Sequence, residues 1–113
     1  LYTVTYTGKA ISLNDAYSQH WRKSKATKDL IKQNLAELIK NAVFGSVTKF
    51  RLDLRYNTRL DVDNTVTMVK LFVDQLRYLD VIADDRRTIF TGFSVTYDKD
   101  LPQQTYQFTV IPQ

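Results

Sequence analysis

Phe50-Arg51-Leu52-Asp53-Leu54-Arg55-Tyr56 alternates apolar and charged residues without interruption, and after Asn57-Thr58 the chain continues Arg59-Leu60-Asp61-Val62-Asp63-Asn64. The alternation extends back to Thr48 and describes a strand with one dry and one wet face: Phe50, Leu52, Leu54 and Tyr56 inward, Lys49, Arg51, Asp53 and Arg55 outward. From Asn64 to Leu79 the spacing changes. Val66, Val69, Val73, Leu76 and Leu79 recur at the period of an amphipathic helix. Arg59 to Asn64 therefore spans a strand-to-helix junction, with Asp63 in the first turn or at the N-cap and Asp61 just ahead of it.

The flanking segments repeat the same two patterns. Tyr2, Val4 and Tyr6 alternate with Thr3, Thr5 and Thr7, which predicts a half-buried first strand. Residues 8–26 show no clean period and read as a long loop. Ile31, Leu35, Leu38, Ile39 and Ala42 predict a helix with Thr27 as its N-cap and Gly45 just past its end. Ile89 to Tyr97 and Thr105 to Ile111 read as two further strands. The turn-rich Asp98-Lys99-Asp100-Leu101-Pro102 joins them, and an antiparallel hairpin is the expected arrangement. The order is β-α-β-α-β-β. The simplest solution is an α+β fold: a four-stranded mixed or antiparallel sheet with two helices packed on one face.

The 113 residues suit one domain, 1–113, and 43% hydrophobic residues are enough to build its core. No apolar run approaches the length of a membrane span. The N-terminus lacks the basic-then-apolar layout of a signal peptide, and with no Cys there is neither a disulfide framework nor a thiolate metal site. Cytoplasmic is the default expectation. Sixteen basic against twelve acidic residues give a net charge of +4, a mild indication of a polyanionic partner.

Within a basic chain, the concentration of acid at Asp61, Asp63 and Asp84-Asp85 is out of character. Carboxylates at i and i+2 point the same way on an extended backbone, and hard cations such as Mg²⁺ take oxygen ligands from one or two carboxylates plus substrate phosphates. If the four acids converge on metal, the remaining surface is more basic than +4 suggests. Asp63, Thr67, Lys70 and Asp74 fall on one polar helix stripe, from which Lys70 can reach a phosphate or a leaving group. A plainer account stays open. Asp63-Asn64 can simply start a helix, Asp84-Asp85-Arg86-Arg87 can be a solvated turn, and Lys70 with Asp74 can be a surface i, i+4 pair. Other chemistry is poorly supplied. His20 is the only histidine, there is no cysteine nucleophile, and the three glycines are isolated. No organic cofactor is indicated.

His20-Trp21-Arg22-Lys23-Ser24-Lys25-Ala26-Thr27-Lys28 is basic with no acid, and Tyr17 precedes it. Its cations suit phosphates, and Trp21 or Tyr17 suits stacking on an unpaired base. The alternative is a solvated loop with Trp21 packed on the core.

At these residues the chain resembles the RusA family of Holliday-junction resolvases, small phage-associated endonucleases. The resemblance runs over roughly residues 12–95: Ser12-Leu13-Asn14 with Tyr17, a basic loop and helix, Arg59-Leu60-Asp61-Val62-Asp63-Asn64, Lys70 with Asp74, Leu79, and Asp84-Asp85. It implies a homodimer that binds four-way DNA junctions and makes paired symmetric nicks with Mg²⁺, or Mn²⁺ in its place. Asp61 and Asp63 match the first two catalytic carboxylates and Asp85 best matches the third, with Asp84 adjacent to it and open as the metal ligand in its place. Lys70 matches the catalytic lysine with a departure. The family pattern places it four residues after the second carboxylate, where this chain has Thr67. Arg22, Lys23, Lys25, Lys28, Trp21, Tyr17 and Asn14 are the expected DNA contacts. The implied protein is a cytoplasmic, bacterial, prophage-encoded nuclease. Its competitors are a non-catalytic nucleic-acid-binding protein of phage or prophage origin and a structural subunit of a phage particle.

Overall fold

The structure, a computed structural model, describes residues 1–11 and 21–113, with side chains of the first helix described from Lys25 onward. The elements are β1 (Tyr2–Thr7), α1 (Trp21–Asn41), β2 (Phe50–Asn57), α2 (Val62–Tyr78), β3 (Phe90–Tyr97) and β4 (Thr105–Pro112). They form the α+β architecture expected from the two periodicities, a four-stranded mixed sheet with two helices.

The inward residues of β2, Phe50, Leu52, Leu54 and Tyr56, are all buried, and Arg51 and Arg55 on the other face are exposed. Ile31, Leu35 and Ile39 of α1 and Met68, Phe72 and Leu76 of α2 pack into the same core. Phe72 stacks on Phe108 of β4, ring centroids 4.3 Å apart and nearly coplanar in orientation at 3°. Such pairs add about 0.5–1.5 kcal/mol beyond their buried area. Both helices therefore cover one face, while Thr3, Thr5 and Thr7 on the other face of β1 are exposed. Among the described residues no helix is long and apolar enough to cross a membrane.

The strand order is β1-β4-β2-β3, and this corrects the expected final hairpin. β3 runs parallel to β2, through the α2 crossover, and β4 lies antiparallel between β1 and β2. The β3–β4 connection steps over the end of β2 and is tied to it. Asp98 N and Gln104 N donate to the carbonyls of Tyr56 and Asn57, each at 2.8 Å, and Asn57 Nδ2 donates to Leu101 O at 2.7 Å. A two-residue hairpin turn has no room for such a step, and the seven residues from Asp98 to Gln104 do. The fully alternating burial of β2 belongs to a central strand, and the half-covered β3 to an edge.

α1 begins six residues earlier than the apolar spacing predicts, so Lys25 and Lys28 sit on a helix and Thr27 lies inside it rather than at its N-cap. Its first described turns carry no core residue; Lys25, Ala26, Asp29 and Leu30 face solvent. Lys and Ala are strong helix formers, and Lys25 Nζ pairs with Asp29 one turn on at 3.1 Å. The helix ends at Asn41, and Val43 rather than Gly45 takes the left-handed conformation just past its end, at φ 53.

Candidate metal and phosphate site

α2 starts where β2 stops. Tyr56 Oη donates to Leu60 O at 2.9 Å, and Leu60 N donates to Thr58 Oγ1 at 3.2 Å, which fixes the residue before Asp61. Asp61 is the N-cap by backbone conformation, φ −69 and ψ 160. Its carbonyl accepts from Thr65 N and Thr65 Oγ1, yet its carboxylate makes no capping bond. Asp63, in the first turn, accepts only the neighbouring Asn64 N–H at 3.0 Å. The capping explanation thus leaves the Asp61 side chain unexplained. Both residues are exposed, and among the described residues neither forms an ion pair.

The other end of α2 explains where Asp84 and Asp85 go. Asp80 adopts the left-handed conformation at φ 59, Val81 N donates to Leu76 O at 2.9 Å, and Asp80 N donates to Arg77 O at 3.1 Å. This is the Schellman termination, with Val81 and Leu76 buried together as its apolar contact. Asp tolerates the left-handed region better than most residues. The reversed chain lays Asp84 and Asp85 beside the helix. Asp85 Oδ2 lies 3.9 Å from Lys70 Nζ, and Asp85 Oδ1 lies 4.0 Å from Arg77 Nη1. Asp84 pairs with Arg86 at 3.0 Å and Arg77 at 3.8 Å, and accepts the Asp85 N–H at 2.8 Å. That backbone bond and the Arg86 guanidinium hold the Asp84 carboxyl below the usual aspartate range.

Lys70 also lies 3.5 Å from Asp74, which in turn meets Lys32 of α1 at 3.9 Å. Thr67, on the same stripe, is buried at 8% with an unpartnered hydroxyl. Of the two positions, Lys70 is the one that meets the Asp85 carboxylate. Arg77 and Lys32 were not singled out from the sequence, although Arg77 lies at i+3 from Asp74 and i+7 from Lys70, a same-face spacing.

The four acids divide into an open pair, Asp61 and Asp63, and a pair already holding cations, Asp84 and Asp85. Among the described residues no three acidic side chains group closely enough to share an ion. Lys70 is seven residues beyond Asp63, about 10 Å along the helix axis. The same-side placement expected of Asp61 and Asp63 required an extended backbone, and the helix that begins at Val62 removes that condition, since side chains at i and i+2 do not face each other on a helix. What remains for a hard cation is the type of donor: the Asp61 carboxylate has no capping bond, Asp63 accepts one backbone N–H, and carboxylates completed by phosphate oxygens are a usual Mg²⁺ donor set. Of the expected DNA contacts, Asn14 and Tyr17 and the side chains of Trp21, Arg22 and Lys23 lie outside the described residues. Lys25 is exposed and paired with Asp29, and Lys28 is half-buried.

Comparison with protein-family models and with curated proteins finds no match for this chain. The resemblance to RusA resolvases accordingly rests on the residues themselves.

Proposed function

We propose that the protein is a Mg²⁺-dependent, structure-selective DNA endonuclease that resolves four-way junctions by paired symmetric nicks, in the manner of RusA enzymes. The observation that carries this reading is the approach of Lys70 to Asp85, two residues fifteen positions apart that belong to the same sequence pattern. Asp61 and Asp63 would hold the ion. Bound Mg²⁺ supplies Lewis acidity at a phosphate oxygen and lowers the pKa of a coordinated water. Lys70 stabilises negative charge on the phosphate, and Asp85 and Asp74 hold its ammonium in place. Asp85 acts in this reading by orienting Lys70, with Asp84 set by Arg86 and Arg77. The basic start of α1 supplies phosphate contacts, and a homodimer matches the two-fold symmetry of the junction.

A non-catalytic nucleic-acid-binding protein is the second reading. It is favoured by the neutralised state of Asp84 and Asp85 and by the lack of a three-carboxylate group among the described residues. A strand-labelled synthetic four-way junction, compared with a linear duplex of the same sequence in Mg²⁺, separates the two. Paired nicks confined to the junction are expected. Tight junction binding without cleavage in Mg²⁺ or Mn²⁺ selects the second reading.

A further inference from the structure

β2 and β3 are parallel, so their carboxyl ends, Asn57 and Tyr97, open on the same side of the sheet. Crevices at the carboxyl ends of parallel strands are where such sheets bind ligands. Here the crevice is a half-open cavity of about 400 Å³ lined by Asn57, Thr58, Arg59, Tyr97, Gln103 and Gln104. Pockets of 300 Å³ and above are of ligand size. Its position is tied to the acidic pair twice over. Arg59 precedes Asp61 by two residues, and Tyr97 packs edge-on against Tyr56, centroids 5.8 Å apart, whose hydroxyl anchors Leu60.

The lining has one ring, one cation and several amides. Tyr97 keeps half its surface open at 51%. Arg59 is exposed and forms no ion pair among the described residues. Asn57 spends its Nδ2 on Leu101 O, which leaves Oδ1 as an acceptor. The Gln103 and Gln104 side-chain amides make no hydrogen bond among the described residues. Gln104 is held in the left-handed conformation at φ 60, with its N–H on Asn57 O. Such a set matches a planar group with donors and acceptors on its edge and a negative charge beside it.

We propose that this cavity is a nucleotide subsite that takes one unpaired deoxynucleotide. Tyr97 stacks on the base, the amides of Asn57, Gln103 and Gln104 meet its edge, and Arg59 takes the phosphate. An aromatic face accepts any base, whereas amide groups discriminate among edges, so the subsite both seats an unstacked nucleotide and gives a base preference. The proposal deepens the DNA-binding reading above by assigning where a base at the branch is read, next to Asp61.

The test is an amide-resolved NMR titration of ¹⁵N-labelled protein with each deoxynucleoside 5′-monophosphate, and with 2-deoxyribose 5-phosphate as the baseless probe. Nucleotides should shift Asn57, Thr58, Gln103 and Gln104, with unequal affinities among the four bases. The baseless probe should shift Arg59 and its neighbours alone. Tyr97→Ala should weaken nucleotide binding about tenfold, as loss of one stacking partner does, and Tyr97→Phe should retain it. Equal binding of the baseless probe, shifts mapping elsewhere, or no effect of Tyr97→Ala overturns the subsite. Nucleotide binding here by a protein that cleaves no junction keeps the subsite and removes the nuclease. Junction cleavage with no nucleotide in this cavity does the reverse.

Discussion

Lys70 Nζ lies 3.9 Å from Asp85 Oδ2 and 3.5 Å from Asp74 Oδ1, so one ammonium on α2 is held between its own helix and the segment that follows the helix turn. Lys70 remains 67% exposed, and exposed pairs of this kind contribute about 0–1 kcal/mol to stability. The fold therefore draws little on Lys70, which in the proposed function meets an incoming phosphate.

Lys70→Met separates these two roles. Thermal unfolding should shift by less than about 1 kcal/mol equivalent, while single-turnover junction cleavage should fall by about 100-fold or more, the usual loss on removing one transition-state charge partner. A large loss of stability with cleavage intact would place Lys70 in the scaffold.

Tyr106 is fully buried with no hydrogen-bond partner for its hydroxyl, between Tyr6 and Tyr56 on the neighbouring strands. Burial pushes its phenol up, the nearby Thr58 side chain acts against this without forming a hydrogen bond of ordinary geometry, and the neighbouring Tyr56 and Tyr6 phenols reinforce the rise. Tyr106→Phe should raise stability by about 1 kcal/mol, the scale of one unsatisfied buried hydroxyl. The sign with pH follows from the raised folded value. The neutral phenol's contribution is complete below the ordinary tyrosine pKa of about 10 and is lost as pH rises from there through the folded value. Denaturant unfolding from pH 8 to 11 should show a shallower alkaline loss in Tyr106→Phe than in the wild type.

Val43, a β-branched residue at φ 53, terminates α1 in a conformation that favours Gly or Asn, and it is 80% exposed. Val43→Asn should stabilise by about 1 kcal/mol, since the left-handed region costs a branched residue about 1–2 kcal/mol. Equal or lower stability by chemical denaturation would contradict this account of the helix end.

The Asp84 carboxyl is held low by the Asp85 N–H and by Arg86. A depressed acid contributes above its ordinary pKa and loses that contribution as pH falls through the folded value. Asp85 N should therefore keep its hydrogen-bonded amide shift through the ordinary aspartate range and lose it only at lower pH. A proton-detected titration with its midpoint at the ordinary aspartate value would show that the turn is not built as described.

β2 and α2 were legible because each carries its period on residues that reach the core: Phe50 to Tyr56 at two, and Val69, Val73 and Leu76 near 3.6. The start of α1 was not, because its first turns bury nothing and helicity there comes from propensity and the Lys25–Asp29 pair. The sheet order was also hidden. Asp98 to Pro102 reads as a hairpin turn, and only the bonds from Asp98, Leu101 and Gln104 to β2 reveal that the chain passes over that strand. At the candidate site, the acids and Lys70 stand out in the sequence as candidates. The sequence could not show that the Schellman turn at Asp80 would bring Asp85 to Lys70, or that Arg77 and Arg86 would engage Asp84.

In the proposed function, Asp61 and Asp63 serve a metal-dependent cleavage. The most direct test follows cleavage and binding of a labelled four-way junction together, in Mg²⁺ and in EDTA, with wild type and Asp63→Asn. Paired nicks by the wild type in Mg²⁺ alone, with Asp63→Asn binding the junction but cutting less than about one hundredth as fast, is the predicted result. Cleavage that survives either EDTA or Asp63→Asn would contradict it.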